Sequence, residues 1–196
     1  GHSYSPELHA FFGNYDYELF EVPPDQLGDF IRARDFQGLN VTIPYKTTML
    51  AICDDLTEAA AAIGSVNTVV KQLDGSLLGD NTDAAGFEGM VWKSRMRILG
   101  RKCLVLGSGG ASLSVQYVLR KLGAGEIVVI SRTGEDNYTN LDRHRDASIL
   151  VNTTPVGMYP NTAASPVDLR EFPQCEGVLD LIYNPARTAL LQQAYR

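Results

Sequence analysis

An α/β fold in two parts is predicted: an N-terminal α/β domain, then a doubly wound parallel sheet. Three observations predict it. The run Lys102-Cys103-Leu104-Val105-Leu106 is short and apolar, as a strand covered on both faces should be. Gly107-Ser108-Gly109-Gly110-Ala111-Ser112 follows at once and leads into a helical stretch ending at Leu122, the strand, glycine turn and helix that open a doubly wound sheet. The charge is split: residues 1–92 hold 14 acids against four bases (Arg32, Arg34, Lys46, Lys71), and residues 93–196 hold 9 acids against 13 bases. The halves therefore have different tasks, and the second is the better receiver of a polyanionic ligand. The domain boundary is placed at 92/93.

The first half alternates element types. Ser5-Pro6-Glu7 predicts a short helix, with Ser5 as N-cap, Pro6 at the first helical position and an acid in the first turn. Residues 15–22 alternate and predict a strand. Pro23-Pro24 breaks it, and residues 25–34 predict a helix with Leu27, Phe30 and Ile31 on one face. Residues 39–43 predict a short buried strand ended by Pro44. Residues 46–53 and 55–63 predict helices, and residues 67–72 and 76–78 a hairpin across Asp74-Gly75. Residues 82–96 predict a longer helix closed by Leu99-Gly100. In the second half, residues 127–130, 148–152 and 177–183 predict strands and 186–195 a closing helix. The polar stretch 134–145 has no clear period, so the crossover there is expected to be abbreviated.

Composition narrows the function. The chain has 196 residues, 44% of them hydrophobic and 20% charged, and a net charge of −6. That acidic balance argues against general nucleic-acid binding. No apolar run approaches a membrane span and nothing reads as a secretion signal, so a cytoplasmic protein is expected. Cys53, Cys103 and Cys175 are odd in number and far apart, which fits reduced thiols rather than a disulfide framework. His2, His9 and His144 form no metal-ligand pattern, so no metal is expected, and no GxSxG elbow is present.

The glycine loop points to a dinucleotide. Gly107 would permit the tight turn, and Gly109 would let the backbone approach a pyrophosphate whose charge sits on the helix N-terminus. The last fingerprint position is Ser112, small but neither Gly nor Ala. Where an NAD site carries Asp or Glu at the end of the second strand, this chain has Ser131-Arg132-Thr133. A guanidinium beside two hydroxyls suits a 2′-phosphate, so NADP is expected over NAD. Glu135 and Asp136 lie close by and would repel a phosphate if they faced it. The second domain is accordingly expected to be a Rossmann-type dinucleotide-binding domain.

The acidic half carries two polar clusters. Asn40, Thr42 and Lys46 sit together around a strand end, and Gly79-Asp80-Asn81-Thr82-Asp83 joins a strand to a helix. Asn67 and Thr68 begin a strand after Gly64. A lysine among carboxylates and amides suits a small polyhydroxy acid and can pass a proton to its oxygen. A surface lysine, a capping Asp83 and a turn Asn67 explain the same residues without a ligand.

Six motifs resemble those of the shikimate dehydrogenase family, in that family's order. They are Gly1-His2-Ser3-Tyr4-Ser5-Pro6; the 40–46 run; Ala62-Ile63-Gly64-Ser65-Val66-Asn67-Thr68; Gly79 to Asp83 with Gly86-Phe87; Val151-Asn152-Thr153-Thr154-Pro155-Val156-Gly157-Met158; and Asp180-Leu181-Ile182-Tyr183-Asn184-Pro185. The resemblance implies NADP-dependent reduction of 3-dehydroshikimate to shikimate, in aromatic amino-acid and chorismate biosynthesis. It implies that Ser3, Ser5, Thr42, Asn67, Asp83 and Tyr183 bind substrate, with Asn40 in support. Lys46 is implied as the catalytic lysine and Asp83 as its partner. Glu58, Gly107, Ser108, Gly109, Gly110, Ala111, Ser131, Arg132, Thr133 and Leu181 are implied at the cofactor. The partner is then a small molecule, with no nucleic acid or membrane, and the protein a monomer or homodimer. An NAD-preferring quinate/shikimate dehydrogenase and a catalytically silent ligand-binding paralogue or fragment remain the rivals.

The departures are also informative. Asp136 stands where the family often has a second base. The family's first strand, and a later helix carrying a substrate-binding glutamine, are expected to lie outside this sequence. Gln192 and Gln193 come too early to supply that glutamine.

Overall fold

A computed structural model describes residues 3–33 and 35–195. Residues 1–37 form one compact unit and residues 38–196 another. Gly1, His2, Arg34 and Arg196 lie outside the described residues.

The first unit holds two helices, α1 (Ser5–Phe12) and α2 (Leu27–Ala33). Ser5 is the first helical residue rather than the cap. Tyr4 takes the N-cap position without a side-chain capping bond, and the Ser5 N–H donates to Ser3 Oγ at 3.2 Å. The capping oxygen is thus Ser3's, two residues earlier than expected, because Ser5 already has helical backbone and its own N–H is the one needing an acceptor. The His9 ring stacks on Tyr17 at 4.1 Å. Residues 15–22 form no strand. Their alternation is real, but no neighbouring strand in this unit offers them a ladder, and strand pattern without a partner does not make a sheet. α2 buries Leu27 and Ile31 as its spacing requires, while Phe30 is half-buried and stacks on Phe36.

The second unit contains two sheets. The first is built from β1 (Gly38–Asn40), β2 (Asp55–Leu56), β3 (Thr68–Lys71) and β4 (Leu77–Asp80), in the order β1-β3-β4-β2. β1 and β4 run antiparallel to β3, and β2 runs parallel to β4. The hairpin turns where expected, with Asp74 Oδ1 accepting both Ser76 N–H (2.9 Å) and Ser76 Oγ–H (2.7 Å). The strand predicted over 39–43 stops at Asn40, and Ile43 is 83% exposed. Val41 N–H still bonds across to Asn67 O, but Pro44 has no N–H with which to continue the strand. Residues 46–53 hold only a 3₁₀ turn, Thr48–Ala51, which buries Met49. The helix predicted from residue 55 begins at α3 (Glu58–Ile63), because Asp55 and Leu56 pair with Leu78 and Gly79. Thr57 caps α3, accepting Ala60 N–H, and donates its own proton to Asp80 Oδ1 at 2.6 Å. α4 (Thr82–Ser94) follows and ends at Arg95 in the left-handed region, earlier than residues 99–100.

The second sheet has four parallel strands in the order β6-β5-β7-β8. They are β5 (Lys102–Leu106), β6 (Glu126–Ile130), β7 (Ile149–Asn152) and β8 (Gly177–Asp180). Each face of β5 goes to its own core, as period-2 geometry demands. Cys103 and Val105 join Ile63, Phe87, Val91, Val115 and Leu119, so α3, α4 and α5 (Gly110–Lys121) share one apolar core with this face of the sheet. Leu104 and Leu106 face Ile130, Leu150, Phe172 and Leu190, the last from α6 (Ala189–Ala194). The connection after β6 has only a 3₁₀ turn, Leu141–His144, which is the abbreviated crossover expected. β8 stops at Asp180 rather than 183, and α6 begins late because Thr188 caps it.

Asn81 pins the two halves of the shared core. It is 3% exposed; its Nδ2 donates to Ser65 O (2.8 Å), and its Oδ1 accepts Ala84 N–H and Ser114 Oγ–H (3.1 Å). Asn81→Ala removes a helix cap and strands three buried polar groups at once. A loss of about 3 kcal/mol in urea unfolding is expected, from roughly 1 for the cap and about 2 for the orphaned groups.

Candidate active site

Lys46 lies just past the end of β1, held by the backbone bond from Val66 N–H to Lys46 O at 2.8 Å. Asp83 lies in the first turn of α4. The fold brings them together over 37 residues: Lys46 Nζ donates to Asp83 Oδ2 at 2.6 Å. Both side chains are partly buried, at 19% and 35% exposure, so the charges are close but still open to a ligand. Asn67 sits beside them, buried at the start of β3. Its Oδ1 accepts Thr82 N–H at 2.9 Å, Thr68 Oγ–H and Thr82 Oγ–H. That leaves the Asn67 amide Nδ2 without a partner among the described residues. Thr42 is exposed at the neighbouring turn, where its carbonyl accepts Tyr45 N–H.

The glycine loop closes on the same place. Gly107 has φ 104°, and a Cβ on it would stand 2.8 Å from Thr153 Oγ1 and 2.9 Å from Thr154 Cγ2, so only glycine fits. Gly109 caps α5 in extended backbone and has open space around it. A Cβ on Gly110 would lie 3.4 Å from Lys46 Cδ and 3.7 Å from Ser65 Oγ. The lysine stem therefore reaches the start of α5, and the loop and the Lys46–Asp83 pair border one another. Ser65 is fully buried and its hydroxyl has no partner among the described residues. Asn81, part of the polar cluster that joins a strand to a helix, is the residue that caps α4, and Ser65 carries no sequence signal beyond its place in the 62–68 motif.

These features fit a dinucleotide. The N–H groups at the start of α5 and the open space at Gly109 could receive a pyrophosphate. At the end of β6, Arg132 is exposed and makes no hydrogen bond or ion pair among the described residues. Ser131 and Thr133 flank it. Leu181 follows β8, its N–H on Asn152 O (3.1 Å) and its side chain half-buried against the shared core. Glu58 is exposed at the first turn of α3 with no partner among the described residues, and Tyr183 is 70% exposed. Ser3 and Ser5 belong to the other unit.

A buried polar network unrecognised as such from sequence anchors the ends of β7 and β8. Asn152 Nδ2 donates to Asp180 Oδ1 (3.0 Å), Thr188 Oγ1 donates to Asp180 Oδ2 (2.6 Å), and Asn152 Oδ1 accepts both Thr154 N–H and Oγ–H. The thiols take no part. Burial pushes Cys103 up to about 11, and burial also raises Cys53 and Cys175, so none is a ready nucleophile. Among the described residues no cluster of His, Cys, Asp and Glu could hold a metal ion, and no helix is long and apolar enough to cross a membrane.

A phosphate-cradling loop on a parallel sheet, bordering a lysine–carboxylate pair, defines a dinucleotide-dependent oxidoreductase. Comparison with known proteins narrows the class. Residues 1–69 match the shikimate dehydrogenase substrate binding domain. The NADP(+) shikimate dehydrogenase of Shouchella clausii is 39% identical, over 99% of this chain and 80% of its own length. A chorismate mutase/shikimate 5-dehydrogenase fusion protein from Clostridium acetobutylicum superposes with a TM-score of 0.90 at 36% identity, over all of this chain and 78% of that one. The Thermus thermophilus shikimate 5-dehydrogenase, solved with NADP(H) and shikimate, superposes with a TM-score of 0.81 at 34% identity, over 98% and 77% of the two chains. This chain belongs to the shikimate dehydrogenase family.

Proposed function

We propose that this chain catalyses the reversible NADP-dependent reduction of 3-dehydroshikimate to shikimate. The observation that carries the reading is the Lys46–Asp83 pair, 2.6 Å apart, at the edge of the Gly107–Gly110 loop. Residues 1–92 serve the substrate and residues 93–196 the dinucleotide. The partners are small molecules, in the cytoplasm, and the protein works as a monomer or homodimer.

Gly107, Ser108, Gly109, Gly110 and Ala111 hold the pyrophosphate through backbone N–H groups at the start of α5. Ser131, Arg132 and Thr133 receive the 2′-phosphate, with Glu58 and Leu181 lining the rest of the cofactor. When bound, the reduced nicotinamide supplies a hydride. Lys46 gives its Nζ proton to the oxygen that becomes the hydroxyl, and Asp83 orients the ammonium and stabilises its charge. Asn67 offers its free Nδ2 to a substrate oxygen, and Ser3, Ser5, Thr42 and Tyr183 complete the substrate contacts, with Asn40 in support.

The test follows reduced-cofactor absorbance with shikimate or quinate, each with NADP or NAD. Turnover with shikimate and NADP supports the reading; turnover only with quinate and NAD, or binding without turnover, overturns it. Arg132→Ala is expected to weaken NADPH binding by about 10- to 100-fold, the scale of a lost charge-assisted contact, and to leave NADH binding nearly unchanged. Calorimetric titration with both dinucleotides reads the difference.

A further inference from the structure

Asp136 is an acid in a loop where a 2′-phosphate is expected, and the structure gives its carboxylate a specific occupation. The Asp136 carbonyl accepts Ser131 N–H at 3.2 Å, so the two residues face each other across a tight turn. Asn137 and Asn140 brace that turn, donating from Nδ2 to Gly134 O (3.1 Å) and Glu135 O (2.9 Å). The Asp136 carboxylate is turned to His144, with Oδ1 2.9 Å from Nε2. His144 is 7% exposed and sits in the 3₁₀ turn whose end leads into β7. Its Nδ1 is buried without a partner among the described residues. A proton on Nδ1 would be buried and unpaired, so the proton belongs on Nε2, which donates to Asp136.

Asp146, the second carboxylate that feels His144, is bonded to Lys102 Nζ at 2.9 Å. Arg132 pairs with no acid among the described residues. Its guanidinium is close enough to Tyr138 to offset part of the rise that burial imposes on that phenol. One acid of the loop is thus tied back to the protein while its arginine is left open.

We infer that His144 is a positioning residue for cofactor choice: by holding the Asp136 carboxylate it keeps that charge off the 2′-phosphate place beside Arg132. This rests on the dinucleotide reading above. NADP carries the 2′-phosphate and NAD does not, so a released carboxylate penalises only NADP.

Calorimetric Kd values for NADPH and NADH separate the possibilities. In His144→Leu the carboxylate loses its donor, and the preference for NADPH is expected to fall about tenfold, with NADH affinity nearly unchanged. His144→Leu/Asp136→Asn removes the offending charge and restores the preference. His144→Gln keeps a donor at the same reach and retains it. Should His144→Leu fail to fold, Asp136→Glu keeps His144 and carries the charge one methylene further, and the same fall in preference is expected. The inference is overturned if His144→Leu or Asp136→Glu folds and keeps the wild-type preference, if the double variant does not restore it, or if both Kd values worsen equally, which is the mark of a merely structural role. Wild-type protein that binds neither dinucleotide overturns the cofactor reading and this inference with it; discriminating wild type with equally discriminating variants overturns this inference alone.

Discussion

Lys46→Ala is expected to lower turnover by about 10²-fold or more, the usual scale for losing a positioned general acid–base group. Lys46 supplies the only Nζ within hydrogen-bonding distance of Asp83 among the described residues, and water entering the gap is neither positioned nor charged. The loss should fall on kcat. NADPH affinity should change little, because the proposed pyrophosphate site consists of backbone N–H groups of the glycine loop. Stability should also change little, because a part-exposed ion pair contributes on the order of 1 kcal/mol at most. Steady-state kinetics with an NADPH titration and a urea melt measures all three. Near-normal kcat would remove Lys46 from the chemistry, and an equal collapse of stability would assign it a structural place instead.

Gly107→Ala is the second large effect. The new methyl group would meet Thr153 Oγ1 at 2.8 Å and Thr154 Cγ2 at 2.9 Å, at a φ of 104° that alanine rarely adopts. Thr153 cannot swing away freely, since its hydroxyl donates to Leu106 O at 2.7 Å and its N–H to the same carbonyl. The turn must open, at a cost of about 2 kcal/mol in stability, and the N–H groups of the loop lose their convergence. NADPH binding should weaken at least tenfold, by roughly the 1.4 kcal/mol that a misplaced cradle forfeits. Gly109→Ala is the control. That backbone is extended and its surroundings are open, so unfolding should be unchanged while a methyl group in the cradle still impairs NADPH binding. Equal effects of the two variants on stability would show that Gly107 is not special.

Local signals were legible where a segment satisfies itself. The apolar run 102–106, the glycine turn, the Asp74-Gly75 hairpin and the helix over 82–94 need little beyond their own residues and immediate neighbours. The alternating run 15–22 shows the opposite case. Its residues have strand spacing, yet no partner strand in its unit completes their hydrogen bonds. Residues 55–56 erred in the other direction, since their helical pattern yields to a parallel ladder with β4. Both outcomes turn on where another piece of chain lies.

The site divides along the same line. Residue types and motif order were enough to nominate Lys46, Asp83, Asn67, the glycine loop and Arg132, because chemistry restricts which side chains can move a proton or meet a phosphate. Their convergence was decided by tertiary structure. The core shared by α3, α4, α5 and β5 draws Lys46 Nζ onto Asp83 and its stem onto Gly110. Asp136 makes the point most sharply. By sequence it is a negative charge next to Arg132; in the fold its carboxylate is taken by a buried histidine eight residues on. Sequence assigns the charge, but only packing assigns its direction, because an electrostatic effect depends on distance and on what else lies within reach.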